Sequence, residues 1–314
     1  PGDGAAAPPP ASSGPSRPPA AAAAEEPSSL AAHLSQSLAA LEAGIINERT
    51  SFSCKGSMEL GNATFHCWLE DGHGTVNVVR ALERSCDVFF YEVALKTGIQ
   101  RIKAMANKLG LGDVTGIDIP GEKQGIIPHH EWKLATHGVV WTPGETVVAS
   151  IGQGYVLVTP LQLAVMTARL ASGTKAVTPS LQTVDGVPEF AELDISPAAL
   201  RIVHKGMFEV TNGSLGTARA HNLPSRLGGM AGKTGTVQVK RITKAIEQSP
   251  YMRITIAGKR RSGAEPFLAR VAILGGRSGH FGFESERWLS RLHKRQPSTI
   301  GTGCWRYVVG QPPM

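Results

Sequence analysis

The sequence has no run of 18 consecutive apolar residues, so we expect no helix that spans a membrane. A signal peptide places an apolar stretch after a short basic one, and the N-terminus lacks this pattern, so we expect no signal peptide. Aromatic residues make up only 6% of the chain, whereas hydrophobic residues make up 41% and charged residues 18%. This composition excludes a wholly disordered chain and favours a globular core.

Positive charge is concentrated at the C-terminal end. Residues 237–314 contain 14 Lys and Arg against 4 Asp and Glu, while the whole chain has a net charge of +7. A basic tail can bind nucleic acid or an anionic membrane. Because few aromatic residues lie among these charges and no nucleic-acid motif occurs, we expect no nucleic-acid partner.

Composition divides the chain into three zones. Residues 1–36 begin with an Ala- and Pro-rich stretch, which cannot bury enough apolar surface to offset its chain entropy, and we expect this zone to be disordered. Residues 37–243 have the composition of a folded α/β domain. Residues 244–314 form a basic tail rich in Arg, Gly, Ser and Pro, in which only the apolar run 267–274 indicates a strand.

The spacing of apolar residues predicts four helices and one strand in the middle zone. The predicted helices are 78–94 with Gly98 at its end, 99–109 closed by Gly110, 160–171, and 197 to about 212. The last two each begin with a capping hydroxyl followed by proline, which is a signal for a helix N-terminus. The alternating residues 232–239 predict a strand with a glycine at its start.

Two short motifs indicate acyl-transfer chemistry. Lys233-Thr234-Gly235-Thr236 fits a Lys-Thr-Gly motif, and Ser85-Cys86-Asp87 fits a Ser-x-Asn motif in its Ser-x-Asp form. A lysine and a threonine on a strand edge can bind a substrate carboxylate, while a second hydroxyl relays protons. Taken alone, each motif also fits a simpler interpretation, a surface turn for the first and a solvated helical serine for the second.

Longer blocks of sequence extend this pattern over about two-thirds of the chain. In chain order they are Gly72–Asn77, Arg80–Leu82, Ser85–Tyr91, Thr115–Glu122, Glu131–Lys133, Pro143–Thr146, Ile151–Tyr155 and Thr159–Gln162. The ordered set resembles the transpeptidase domain of the penicillin-binding protein 2 family, the class B transpeptidases of the cell-elongation machinery. The resemblance covers about residues 37–243.

The resemblance implies a fold and an activity. The implied fold is the α/β penicillin-binding-protein and β-lactamase-like serine transpeptidase fold, a five-stranded antiparallel sheet flanked by helices. The implied activity is peptidoglycan D,D-transpeptidation, in which a D-Ala-D-Ala stem peptide acylates an active serine and the acyl group then passes to an amine of a neighbouring strand. Ser85 would relay protons with support from Asp87, and Lys233, Thr234 and Thr236 would hold the substrate carboxylate.

The resemblance also implies partners and a location. The partners are peptidoglycan stem peptides, β-lactams and membrane proteins of the elongation complex. The location is the periplasmic face of the bacterial inner membrane. We expect this chain to lack the membrane anchor and the pedestal domain that precede the transpeptidase domain in the family.

The nucleophile motif of the family is missing from its expected place. It reads approximately Pro-Gly-Ser-Thr-Phe-Lys and precedes a Leu-Ala-Ala-Leu-Glu helix, which is present here at 38–42. Residues 28–37 contain no Ser-x-x-Lys, so neither the nucleophile nor its lysine base is there. The Ser-x-x-Lys at 172–175 follows a predicted helix end, on the wrong side of Ser85, and we interpret it as coincidental. We therefore expect the chain to be inactive as a transpeptidase.

Two interpretations account for the missing motif. In the first, a one-base shift of reading frame is responsible, because suitable codons for 31–37 encode Gly-Ser-Thr-Phe-Lys-Pro-Val in the neighbouring frame. A similar shift over 261–268 gives Asp-Gln-Glu-Gln-Asn-His-Ser-Trp, which resembles the strand after Lys-Thr-Gly in the family. In this case the ends of the chain are out-of-frame translation and the product does not fold. In the second, the chain is a pseudoenzyme that keeps the fold as a scaffold for binding.

Three of the four cysteines form a second pattern with a histidine. Cys54, Cys67, His73 and Cys86 have the spacing Cys-x12-Cys-x5-His-x12-Cys. Three thiolates and one imidazole suit a closed, tetrahedral zinc site of the structural type, and some members of the resembled family have metal ligands at matching positions. The alternatives are a Cys54–Cys67 disulfide with a buried Cys86, three unpaired core thiols, or His66 as the histidine ligand.

Overall fold

A computed structural model describes most of the middle zone and little of the ends. The described residues are 29–118, 120–173, 175–181, 189–222, 230–235 and 271–273, the last of these by backbone alone. The prediction of disorder for residues 1–28, the site residue Thr236 and nearly all of the basic tail lie outside the described residues.

Four short strands follow the first helix of the described chain, and helices dominate after them. The elements in order are α1 (Ser29–Glu42), β1 (Ser51–Cys54), β2 (Ser57–Leu60), β3 (Ala63–His66), β4 (Gly74–Asn77), α2 (Val78–Arg84), α3 (Asp87–Thr97), α4 (Ile99–Lys108), α5 (His130–His137), α6 (Pro143–Ser150), α7 (Pro160–Ala171), α8 (Pro197–Asn212), a 3₁₀ helix (Arg219–His221), β5 (Ala231–Lys233) and β6 (Val271–Ile273).

Helix α1 lies in the core and packs against α3, α4 and α8. It begins at Ser29, so the prediction that residues 1–36 are disordered is wrong for 29–36, and the folded domain begins before residue 37. Alanine and leucine have high helix propensity. Leu30, Leu34 and Leu38 recur four residues apart and are fully buried, so this segment has an apolar face that the domain can bury.

The predicted helix 78–94 is wrong as one element, because the chain breaks it into α2 and α3. Ser85 ends α2 in the left-handed region (φ 54°, ψ 50°), and Cys86 is the N-cap of α3. Leu82, Cys86 and Phe89 remain buried on both sides of the break. The spacing of apolar residues therefore continues across the break, although the backbone conformation changes at one residue. For this reason the spacing does not reveal the break.

The predicted helices that begin with a hydroxyl and a proline are confirmed. The Thr159 side chain accepts a hydrogen bond from the Gln162 backbone N–H at the start of α7, and the Ser196 side chain caps α8 in the same way. The prediction for 99–109 is confirmed as α4, which begins after Gly98 (φ 78°). These helix ends are set by local chemistry, which is why the sequence predicts them well.

The strands pair in three antiparallel ladders: β1 with β4, β2 with β3, and β5 with β6. Within the described part of the chain, the expected five-stranded sheet is represented by β5 and β6, in which Lys233 pairs with Val271. Strand β6 falls inside the predicted strand 267–274, and β5 begins one residue before the predicted strand 232–239. The described residues thus form the expected mixed α/β fold.

Helix α8 brings the two halves of the site together. It packs against α2 on one side and against β5 on the other. At Gly206 the backbone of α8 approaches α2 so closely that a Cβ built there would lie 2.5 Å from Leu82 Cδ1. The end of α2, which carries Ser85, therefore lies beside the strand that carries Lys233.

Candidate active site and metal centre

Ser85 occupies a strained turn between α2 and α3. It is the one non-glycine residue with positive φ among the described residues. Its backbone N–H donates back into α2, and its carbonyl oxygen accepts a hydrogen bond of 2.9 Å from the indole Nε1 of Trp68. A non-glycine residue keeps such a conformation only when its surroundings fix it, and strain of this kind is concentrated at functional sites.

The predicted Ser-x-Asp and Lys-Thr-Gly motifs meet through one hydrogen bond. The Lys233 Nζ donates to the Ser85 Oγ at 2.7 Å, across 148 positions of sequence. The same Nζ donates to the Thr234 carbonyl oxygen at 3.1 Å. Ser85 is partly exposed, whereas Lys233 is buried at 2% exposure. The serine of the pair therefore lies nearer the surface than the lysine.

Burial perturbs the charge on Lys233. Loss of hydration lowers the pKa of its ammonium group from 10.5 to about 7, and the nearby charge of Asp87 opposes this shift. Among the described residues, no carboxylate lies within ion-pair distance of the Nζ. A lysine with a pKa near neutrality can exchange a proton with a neighbouring hydroxyl at physiological pH.

Asp87 lies one residue beyond Cys86, at the first turn of α3. Its Oδ2 accepts a hydrogen bond of 3.0 Å from the Trp68 backbone N–H. Burial raises the pKa of this carboxyl group to about 7, and the negative charge of Cys67 adds to the shift. Trp68 therefore contacts both ends of the Ser85-Cys86-Asp87 motif, a role that no pattern in the sequence indicated.

The end of β5 presents hydroxyl groups beside the lysine. The Thr234 Oγ1 lies 2.9 Å from the Thr217 Oγ1, and both side chains reach the surface. Gly235 is buried directly after Thr234, and the predicted site residue Thr236 lies outside the described residues. Thr217 belongs to no motif that we identified, and nothing local in the sequence marks it.

Helix α1 passes the same site but brings no serine-lysine pair to it. Instead, His33 stacks on Phe90 with ring centroids 3.8 Å apart, and Gln36 Nε2 donates to the Phe90 carbonyl oxygen at 2.5 Å. Both ring nitrogens of His33 are buried without a hydrogen-bond partner in the described structure. Burial lowers the pKa of His33 well below its usual value, and the charge of Lys233 lowers it further, so the imidazole is neutral.

The four predicted metal ligands converge. The ligand atoms of Cys54, Cys67, His73 and Cys86 all lie within 4.8 Å of one another, and all four residues are buried. The His73 Nδ1 lies 3.6 Å from the Cys54 Sγ and 3.4 Å from the Cys67 Sγ. In a tetrahedral zinc site with ordinary Zn–S and Zn–N bonds, a sulfur and a nitrogen ligand are about 3.6 Å apart. The donor set and its spacing therefore fit zinc.

Two of the alternatives to a zinc site, the Cys54–Cys67 disulfide and His66 as a ligand, do not match the described structure. Cys54, Cys67 and Cys86 are all free thiols, so the Cys54–Cys67 disulfide is not formed. His66 is exposed and lies outside the cluster. A hydrogen bond from the Cys86 thiol lowers the pKa of Cys67 below its usual value, which favours a negative charge on one of the two sulfurs, as a cation prefers.

Comparison with known proteins agrees with this geometry. Residues 34–258 match the family described as the penicillin binding protein transpeptidase domain. The chain belongs to that family. Its relatives include the peptidoglycan D,D-transpeptidase MrdA of Acinetobacter baumannii, which is 34% identical over 221 residues, covering 67% of this chain and 32% of the relative. The MrdA of Escherichia coli strain K12 is 35% identical over 216 residues, covering 64% of this chain and 34% of the relative.

Solved structures of this transpeptidase family have the same fold. PBP2 of Pseudomonas aeruginosa, in complex with WCK 5153, aligns with a TM-score of 0.63 at 36% identity, covering 68% of this chain and 48% of that one. PBP2 of Helicobacter pylori, in complex with MreC, aligns with a TM-score of 0.62 at 34% identity, covering 67% and 39%. The chain spans about a third of the length of its MrdA relatives. None of the helices that the structure describes combines the length and the apolar character needed to cross a bilayer.

Proposed function

We propose that this chain carries the substrate-recognition part of a peptidoglycan D,D-transpeptidase site of cell-wall elongation. The observation that carries the proposal is the hydrogen bond between the Lys233 Nζ and the Ser85 Oγ, which joins the Ser-x-Asp and Lys-Thr-Gly motifs at one site. Membership of that family supports the same conclusion. The proposed substrate is a stem peptide that ends in D-Ala-D-Ala.

The chemistry of the strand end suits a substrate that ends in a carboxylate. The Thr234 and Thr217 hydroxyls lie at the surface and can donate to carboxylate oxygens, while Lys233 supplies a positive potential behind them. A substrate carboxylate would also favour the protonated form of Lys233, because an opposite charge raises the pKa of an amine. Binding and protonation are therefore coupled at this site.

The nucleophile motif, Ser-x-x-Lys, is the part of the site that we propose to be missing. Positions 29–37 lie in α1 and contribute Ser29, His33, Ser35, Gln36 and Ser37 as their polar groups. The Ser37 hydroxyl donates to the His33 carbonyl oxygen, so it is directed back into its own helix. Residues 28–37 contain no lysine that could act as the base of a Ser-x-x-Lys pair, so we expect no acyl-enzyme on these serines.

Calorimetric titration with a D-Ala-D-Ala tripeptide tests recognition. We expect binding that falls at least tenfold in Lys233→Met, because the positive charge near the carboxylate is lost. The same tripeptide with a C-terminal amide should bind equally weakly to both proteins. Lys205→Met on the outer surface is the matched control and should bind as the parent chain does. Equal affinity for acid and amide forms would contradict the proposal.

A non-catalytic scaffold of the elongation complex is the second candidate function. It is favoured by α1, which is fully packed into the core although it lacks the nucleophile motif. In this case the chain would bind an elongation partner without binding stem peptides. The PBP2 of Helicobacter pylori was solved in complex with MreC, which makes a protein of that kind the partner to test. A frameshifted product that does not fold is a third possibility, and it would show no cooperative melting transition.

We also propose that Cys54, Cys67, His73 and Cys86 hold a structural zinc ion. When bound, zinc would cross-link the end of β1, the loop before β4 and the N-terminus of α3. The purified protein is then expected to contain about one equivalent of zinc, and Cys86→Ser to lose it. Ser53→Ala, beside the cluster on exposed β1, is the control and should keep the metal. A Cys54–Cys67 disulfide found by non-reducing peptide mapping would refute this proposal.

The location and further partners follow from the proposed activity. Peptidoglycan is cross-linked outside the inner membrane, so we propose that the domain works at the periplasmic face. β-Lactams resemble the D-Ala-D-Ala end of the stem peptide, and we propose that they bind in the same cleft as the substrate.

A further inference from the structure

The hydroxyl of Ser85 has the surroundings of a nucleophile. It lies at a turn where the backbone is held in the left-handed region, and it is partly exposed. The hydrogen bond from the Trp68 indole to the Ser85 carbonyl helps to fix this turn. Activated serines are commonly placed on sharp, strained turns of this kind, because the turn lifts the hydroxyl out of its helix and towards a substrate.

The amine of Lys233 has the surroundings of a general base. Its Nζ is 2.7 Å from the Ser85 Oγ, within the range for proton transfer. The side chain is buried, and none of the described carboxylates lies within ion-pair distance to hold it in the charged form. The lowered pKa of the group agrees with this geometry. Serine hydrolases that use a lysine base require this arrangement.

We propose that Ser85 is itself a nucleophile in this chain, with Lys233 as its general base, and that the pair accepts acyl groups from strained lactams and activated esters. This proposal rests on the recognition site of the proposed function, but it assigns the two residues a different chemical role. In the proposed function, Ser85 relays protons and Lys233 holds a carboxylate. In this further proposal, Ser85 forms the covalent bond and Lys233 accepts its proton.

The step balances without any further reactant. The Ser85 Oγ attacks the carbonyl carbon of the lactam or ester, and its proton passes to the neutral Lys233 Nζ. The bond from that carbon to the leaving nitrogen or oxygen then breaks, and the leaving group takes the proton from the Lys233 ammonium. The acyl group remains as an ester on Ser85, and the amine is neutral again.

Ser35, Ser37 and Ser172 have no such base beside them in the described structure. The Ser37 hydroxyl donates to the carbonyl oxygen of His33, and the buried Ser35 hydroxyl has no hydrogen-bond partner among the described residues. The Ser172 hydroxyl, which begins the Ser-x-x-Lys at 172–175, contacts the backbone oxygen of Lys175 and not its amine. The contact between a serine hydroxyl and a buried amine therefore distinguishes Ser85 from these three.

Labelling of the full chain with a fluorescent penicillin, followed by peptide mapping with mass spectrometry, tests the proposal. We expect the adduct on the peptide that contains Ser85. Ser85→Gly should lose this adduct and keep its melting temperature, because glycine adopts positive φ without strain. Ser57→Ala, on exposed β2, should label as the parent chain does. The absence of an adduct on Ser85 in the folded parent chain, or full labelling of Ser85→Gly, would overturn the proposal.

Two variants of Lys233 separate the base from the recognition site. Lys233→Arg keeps the positive charge but cannot accept a proton, so peptide binding should persist while the labelling rate falls by about 100-fold. Lys233→Met should lose both. If Lys233→Arg labels at the parent rate, Lys233 is not the base. A failure of peptide binding in the parent chain would contradict the proposed function alone, because labelling is read out independently.

Discussion

At the residue scale, the site depends on groups that are buried in unusual charge states. Burial lowers the pKa of Lys233 to about 7 and raises that of Asp87 to about 7. The motifs predicted Ser85, Asp87 and Lys233 as site residues, and their roles stay predictions. The sequence could not reveal the contact between Lys233 and Ser85 or these pKa values, because both arise from the packing of segments that are far apart in the chain.

The lowered pKa of Lys233 predicts how stability depends on pH. Between pH 7 and 10.5 the unfolded chain binds a proton at this lysine and the folded chain does not, so the free energy of unfolding rises with pH. Below about pH 7 both states are protonated and the full cost of burying the ammonium is present. The slope of the unfolding free energy against pH should not exceed about 1.4 kcal/mol per pH unit, because only one proton is involved.

Chemical denaturation of the parent chain and of Lys233→Met, from pH 7.5 to 10, measures this effect. The difference in unfolding free energy between the two proteins should shrink as the pH rises, because the cost of the buried lysine disappears. The raised pKa of Asp87 acts between 3.8 and about 7, so it does not contribute in this window. A difference that stays constant with pH would show that Lys233 keeps an ordinary pKa.

His33 provides a second prediction at this scale. Its two ring nitrogens are buried without partners among the described residues, and an unsatisfied buried polar group costs about 1–3 kcal/mol. His33→Phe keeps the stack on Phe90 and removes both polar atoms. We expect the variant to be more stable by about 1–3 kcal/mol. His66→Phe, at an exposed position, should change stability little, and a destabilised His33→Phe would mean that the imidazole has a partner.

At the scale of elements, local signals predicted the helix starts and tertiary packing decided the rest. The caps at Thr159 and Ser196 act within one turn, so α7 and α8 were predicted with their observed bounds. The start of α1 was not predicted, because residues 29–36 follow the Ala- and Pro-rich stretch and were assigned to the same disordered zone. The break at Ser85 was missed because burial continues on both sides of it.

The close approach of α8 to α2 predicts the effect of a small substitution. A methyl group at Gly206 would meet Leu82 at 2.5 Å. Alanine gains about 1 kcal/mol of helix propensity over glycine, but overpacking a core costs about 1–3 kcal/mol. We expect Gly206→Ala to lower the unfolding free energy, whereas Arg201→Ala on the exposed side of α8 should not. A stabilised Gly206→Ala would show that the two helices can move apart freely.

At the scale of the whole molecule, the described residues bring parts of two motifs together, whereas residues 28–37 contain no Ser-x-x-Lys. The family match and the solved relatives establish the domain, and the described residues bring Ser85, Asp87 and Lys233 together. The resemblance predicted this arrangement from short motifs. The convergence of Cys54, Cys67, His73 and Cys86 was predicted from spacing and resemblance, while their distances required the fold. The frameshift interpretation of 31–37 and 261–268 remains a prediction that the nucleotide sequence can test.

The central claim is that the recognition motifs are in place while the nucleophile motif is missing from α1. Mass spectrometry of peptides from the penicillin-treated chain tests this most directly. We predict that every serine of residues 28–37 remains unmodified. Replacing residues 31–37 with Gly-Ser-Thr-Phe-Lys-Pro-Val would supply the missing serine and lysine and is the positive control for an adduct in this segment, provided that the strands beside Lys233 are complete. A stoichiometric penicillin adduct on a serine of residues 28–37 in the unaltered chain would contradict the account.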